Sequence, residues 1–212
     1  LADAARRFLR PGGRMLPQRA ERYLVPVEAP AAHTAVAAGG GGEGAGDGSP
    51  FDAYYDVILP RSGYLASPRF DRAFEPGDAT ETYVRELVFP LDRAGRLHGF
   101  KGWFVADLSP TVTLDIGGDR IEPVSARTTS DSWRHAYLPI AEPVDVEPFD
   151  RLALRFARSA GSPDDPFGQS YRWSGAVWRG LMRLSYEKRM TPSAPSRRAV
   201  WMLAIVCAGD RR

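Results

Sequence analysis

The sequence predicts a mainly β fold: an antiparallel β-barrel or sandwich, entered through a helix and a strand that make half of an α/β unit. Three observations carry this. Strand-like runs bounded by turn residues recur at short spacing from residue 51 onward. The 212 residues include 18 Pro and 21 Gly, so turns are frequent and long helices scarce. Hydrophobic residues make up 43% and charged residues 25%, which suits a globular chain with its own core.

The elements follow in order. Leu1, Ala4, Ala5 and Phe8 share one face at helical spacing, which predicts a helix over 2–9. Pro11-Gly12-Gly13 ends it. Short strands are expected over 14–16 and 21–25. Residues 28–50 are rich in Ala and Gly, with Gly39 to Gly42 unbroken. Such a stretch cannot bury enough apolar surface to order itself, so a flexible loop is expected there. Barrel strands are expected over 54–59, 82–91, 99–107, 111–116, 133–140, 152–157, 171–174, 181–186 and 200–206. Gly117-Gly118-Asp119 and Pro148-Phe149-Asp150 are among the turns between them. The predicted organisation is 1–27 as the end of an α/β domain, 28–50 as a loop and 51–212 as the barrel.

Charge excludes some functions. With 28 basic and 26 acidic residues the net charge is +2, which argues for neither nucleic acid nor an anionic membrane as partner. No apolar run reaches the roughly 18 residues of a membrane-spanning helix. The single cysteine, Cys207, rules out an intrachain disulfide. Nothing therefore demands an oxidising compartment, and a cytoplasmic location is expected. Only Lys101 and Lys188 are lysines and there is no Asn, which reads as a GC-rich, bacterial genome.

Catalytic signatures are absent. Gly39, Gly41 and Gly44 have dinucleotide-fingerprint spacing, but no apolar strand precedes them and no helix pattern follows. His33, His98 and His135 lack Cys or His partners at metal-ligand spacing and read as surface or strand residues. Cys207 lies in the apolar run 200–208, where burial makes a thiol inert. No G-x-S-x-G elbow occurs.

Three segments together carry a resemblance. ADAARRFLRPGGRMLPQRAERYLVPVE (2–28) resembles the end of the methyltransferase domain in protein arginine methyltransferases, where a helix and a Pro-Gly-Gly turn lead into the last core strand and the crossing to the barrel. VRELVFPLDRAGRLHGFKGWFVADLS (84–109) resembles that family's barrel hairpin, with Leu97, Phe100, Trp103 and Phe104 as core anchors. TTSDSWRHAYLPIAEPVDVEPFDRLALRF (128–156) resembles its threonine-histidine-tryptophan loop, followed by a strand, a Pro-Val turn and a glycine-aspartate corner. Asp131, Ser132 and Trp133 stand at the three loop positions, so only the tryptophan matches.

This resemblance implies the C-terminal part of a class I enzyme that moves a methyl group from S-adenosylmethionine to a guanidinium nitrogen. The cofactor loop and the acidic substrate loop would precede residue 1, so the chain is expected to be inactive alone. A first residue of Leu fits a start inside a larger protein. The barrel would form one wall of the substrate groove, with Asp131, Ser132 and Trp133 as substrate contacts. Ser132 cannot take up a proton as histidine would, which puts arginine in doubt as the acceptor and leaves another protein or small-molecule acceptor open. A homodimer is expected from the family's projecting arm, sought here between Asp52 and Pro76. The alternative is a stand-alone β-barrel or sandwich that binds peptide or glycan through Trp103, Trp133, Trp173 and Trp178.

Overall fold

The computed structural model describes residues 8–14, 16–17, 19–37, 59–74, 82–117, 135–159, 170–180 and 182–188. They form nine strands and one helix: β1 (Arg19–Val27), α1 (Pro30–Ala37), β2 (Arg69–Phe74), β3 (Tyr83–Pro90), β4 (Gly95–Ser109), β5 (Val112–Asp115), β6 (Ala136–Val146), β7 (Arg151–Ser159), β8 (Ser170–Arg179) and β9 (Met182–Lys188). The predicted antiparallel, mainly β class is what is observed. Residues 54–58 of the predicted strand 54–59, the predicted strand 200–206, Cys207 and residues 2–7 of the predicted helix lie outside the described residues.

Two sheets build the fold. The first runs β2-β1-β4-β5, with β6 also on β4, and the second runs β3-β7-β8-β9. Every strand pair is antiparallel. β4 organises the first sheet. One edge pairs with β1 from Gly99 to Asp107. The other edge is shared: β6 takes Gly95 to Gly102 and β5 takes Val105 to Ser109. The chain that joins β5 to β6 therefore leaves and returns beside Trp103.

Alternating side chains of the two sheets meet in one core. Leu24, Leu97 and Phe100 face Phe89, Leu152, Leu154 and Phe156, all 2% exposed or less. Phe89 and Phe100 cross between the sheets with ring centroids 6.1 Å apart. The Trp173 indole N–H donates to Pro139 O at 2.7 Å, tying β8 to β6.

Four expectations change. Residues 19–27 do not close a parallel α/β sheet; they hydrogen-bond along β4 and belong to the barrel, because Ala20, Leu24 and Val25 supply its core. The expected loop 28–50 begins with helix α1, since Pro30 is pre-set for a first helical position and alanines favour the turn that follows. Its His33 is thus a helix residue. Finally, Trp103 and Trp173 are 4% and 2% exposed, which removes both from the stand-alone binding reading.

The β6–β7 turn contains an unusual residue. Phe149 has φ +71° and is 92% exposed. Its neighbours fix it: Leu91 N–H donates to Asp150 O, Phe149 N–H to Leu91 O, and Glu147 N–H to the Asp150 carboxylate, all at 2.9 Å. Arg179 Nη2 also reaches that carboxylate at 2.9 Å. A left-handed conformation costs an L-residue about 1–2 kcal/mol. Glycine's extra chain entropy offsets roughly 0.5–1 kcal/mol of that. Phe149→Gly is therefore expected to stabilise the fold by about 0.5–1 kcal/mol in urea unfolding.

Candidate functional site

The best-defined polar centre surrounds the point where β5 and β6 part on β4. Lys101 lies on β4 and is 1% exposed. Its three N–H groups find Leu59 O at 3.1 Å, Gly117 O at 2.9 Å and the Tyr64 hydroxyl at 2.6 Å. The charge also lies over two rings, 5.0 Å from the Tyr64 centroid and 5.1 Å from Trp103. A buried ammonium is tolerated only with such full coordination.

His135 completes the arrangement. Leu59 N–H donates to Nδ1 at 3.1 Å, so the ring proton sits on Nε2 and is donated to Ile116 O at 2.9 Å. Burial, and then the Lys101 charge, depress its pKa to about 4. The unfolded chain takes up this proton near 6.5, the folded one only near 4. Stability is thus full above about 6.5 and is expected to fall as pH drops towards 4. His98, also lowered by burial, acts in the same sense. Thermal melts between pH 7 and 4.5 check this, and His135→Gln is expected to flatten the slope.

An aromatic stack backs this centre. Tyr23 and Trp103 lie 5.7 Å apart at 20°, and Trp103 and Tyr64 lie 6.4 Å apart at 20°. Phe70 meets Tyr23 edge-on at 5.9 Å. Gly117 sits so close to the Trp103 indole that a Cβ there would overlap it. The residue is glycine because the ring occupies the side chain's place, and its N–H donates to the Asp115 carboxylate at 3.0 Å.

Lys101 and His135 therefore hold both ends of the segment 118–134. Asp131, Ser132 and Trp133 fall inside that segment, outside the described residues. Lys101, Tyr64 and Gly117 were missed from sequence, although a lysine within the apolar run around Gly99 to Val105 was an available signal. Among the described residues no group of three or more His, Cys, Asp or Glu could hold a metal. Nor do they fit S-adenosylmethionine, whose cradle is the glycine turn of a parallel sheet. The described strands are all antiparallel, and Gly39 to Gly44 lie outside the described residues.

Comparison with known proteins agrees with this architecture. The family described as the PRMT5 oligomerisation domain matches residues 19–165. Protein arginine N-methyltransferase 5 from rice, in both the indica and japonica subspecies, is 28% identical over 167 residues. That alignment covers 76% of this chain and 24% of the rice protein, so the chain spans about a quarter of these relatives. A Trypanosoma brucei PRMT1 enzyme–prozyme heterotetramer with AdoHcy superposes with TM-score 0.62 at 11% identity, over 88% of this chain and 61% of that one. Arabidopsis thaliana protein arginine methyltransferase 10 gives 0.60 at 17%, over 88% and 63%. At those identities the two structures speak for the fold alone. The family match begins at Arg19, where β1 begins, and spans the first sheet, strands β3 and β7 of the second, and the Lys101 centre. The chain belongs to the PRMT5 oligomerisation domain family.

Proposed function

We propose that this chain is the barrel part of an S-adenosylmethionine-dependent, arginine methyltransferase-like enzyme of the cytoplasm, and that it contributes one wall of the methyl-acceptor groove and a surface for self-association. The observation that carries this reading is the family match over residues 19–165. The named relatives are protein arginine methyltransferases, and the structural neighbour from Trypanosoma brucei is described as a heterotetramer with AdoHcy. The cofactor would be held by another part of the enzyme, and the chain alone would not transfer methyl groups.

The chain's own contribution is positional. Transfer needs the acceptor nitrogen aligned with the methyl group, and small displacements are costly. Lys101 ties Gly117, at one end of segment 118–134, to β4, and His135, at the other end, is tied to Ile116 and Leu59. On this reading Trp133 packs against the acceptor side chain. Asp131 offers a charge for a cationic acceptor, while Ser132 hydrogen-bonds without exchanging a proton near neutral pH.

The test is methyl transfer by the full-length protein to arginine-bearing peptides. Trp133→Ala is expected to lower kcat/KM by about 100-fold. An unchanged kcat/KM removes Trp133 from the groove, and a wild type without transfer removes the methyltransferase reading. Ser132→His reports whether a protonatable group at that position shifts the pH profile.

A further inference from the structure

We propose that segment 59–66 is a strap that moors both ends of segment 118–134, and that Arg93 and Tyr64 are the positioning residues that set it for methyl transfer. Leu59 holds one end with its carbonyl and the other with its N–H. The carbonyl accepts from Lys101 at 3.1 Å, and Lys101 also holds Gly117 O. The N–H donates to His135 Nδ1 at 3.1 Å. Tyr64 adds a second hold on the Gly117 end. Its hydroxyl accepts from Lys101 at 2.6 Å, and its ring stacks on Trp103, whose indole fills the space beside Gly117. A shift of the strap therefore moves both ends of segment 118–134 together.

The strap lies across the end of β1. Glu28 N–H donates to Gly63 O at 2.8 Å and Leu65 N–H to Pro26 O at 3.0 Å, while Asp92 N–H donates to Leu65 O at 2.8 Å. The approach is close enough that a Cβ on Gly63 would stand 2.7 Å from Glu28 O. These main-chain bonds fix residues 63 and 65.

Arg93 fixes the neighbours that they leave. Its Nε donates to Tyr64 O at 2.9 Å and its Nη2 to Ser62 O at 3.3 Å. Glu28 holds the guanidinium in place, with Nη1 donating to Oε2 at 2.8 Å, and Arg96 N–H holds the other Glu28 oxygen at 3.2 Å. Gly95 leaves room for the pair: a Cβ there would stand 2.8 Å from Arg93 Nη1 and 3.1 Å from Glu28 Oε2. The two side chains are 37% and 35% exposed, and an ion pair so open to water adds little to stability. Its directed bonds to the strap serve position instead. Arg93 acts through Tyr64, and Tyr64 through Lys101, so the two work in series. The inference rests on the groove-wall reading of segment 118–134.

The experiment pairs methyl-transfer kinetics with hydrogen–deuterium exchange, both on the full-length protein. Arg93→Ala and Tyr64→Phe are each expected to lower kcat/KM for an arginine-bearing peptide by about tenfold, with the KM for S-adenosylmethionine unchanged. In series, the double variant loses about tenfold as well, where independent effects would multiply to about 100-fold. Glu86→Ala, which breaks another exposed pair with Arg155, leaves transfer unchanged. Arg93→Ala is also expected to speed exchange at residues 114–117 and 135–138 while β7 and β8 keep theirs. Unchanged exchange there overturns the strap, whether or not methyl groups are transferred. So does an active wild type whose kcat/KM is indifferent to Arg93→Ala, or a double variant with multiplied losses. A loss that only tracks a fall in melting temperature overturns the positioning role too. A wild type without transfer removes the methyltransferase reading, and exchange then decides the strap alone.

Discussion

Asp71→Ala is expected to destabilise the fold by about 3–5 kcal/mol, a large share of the roughly 5–15 kcal/mol that holds a domain together. Asp71 is fully buried on β2 and receives Arg22 Nε at 2.6 Å, with Arg22 Nη2 also on its Oδ2. Arg22 Nη2 reaches the Tyr83 hydroxyl on β3 as well. The guanidinium lies 4.6 Å from the Phe156 ring, 5.4 Å from Tyr83 and 5.5 Å from Phe74. It thereby joins the two sheets. Burial works against both charges, lifting the Asp71 carboxyl above its ordinary range and lowering Arg22, while each partner opposes the other's shift. Removing Asp71 leaves a buried cation uncompensated. Removing both, as Arg22→Met with Asp71→Ala, is expected to recover most of the loss, because two desolvated charges disappear together. Urea unfolding of the three variants checks this. A double variant as unstable as the single one would mean that Arg22 contributes through its rings rather than its charge.

Gly99→Ala is expected to prevent normal folding, at a cost above about 3 kcal/mol. At Gly99 β4 crosses β6 where their register shifts, between Leu97 and Gly99. A Cβ would overlap the Leu138 carbonyl oxygen and come within 2.9 Å of Pro139 Cα and Tyr137 Cε2. Two of these are main-chain atoms of a hydrogen-bonded neighbour, so no rotamer change relieves the clash. Tyr137 is itself held, its hydroxyl donating to His98 O at 2.8 Å. Circular dichroism and thermal melting of Gly99→Ala give the answer directly. A cooperative melt near that of the wild type would show that β6 can move away from β4.

Much of the fold was legible because alternation and turn residues mark β3 and most of the strands that follow. β2 was not, and the reason is specific. In RFDRAF the charged Asp71 points inward and Phe70 is 41% exposed, the reverse of the rule used to read a strand. Helix α1 was hidden by composition: its alanines run on towards the Gly39–Gly42 stretch, so helix and glycine run read as one loop. The candidate site was harder. Lys101, Leu59, Tyr64 and Gly117 are brought together only by pairing across strands, up to 42 residues apart in sequence. Asp131, Ser132 and Trp133 came from resemblance rather than from spacing.

The divided edge of β4 has a consequence for how this domain can change. β5 and β6 each complete their own part of that edge, and Lys101 and His135 close off the span between them with bonds to the main-chain oxygens of Gly117 and Ile116. Exchange of residues 118–134 is therefore expected to leave the pairing of β4 with β5 and β6 in place, since that pairing uses Val112–Asp115 and Ala136–Val146 alone. The frame and the span it holds are thus separable parts, and one can vary while the other is kept.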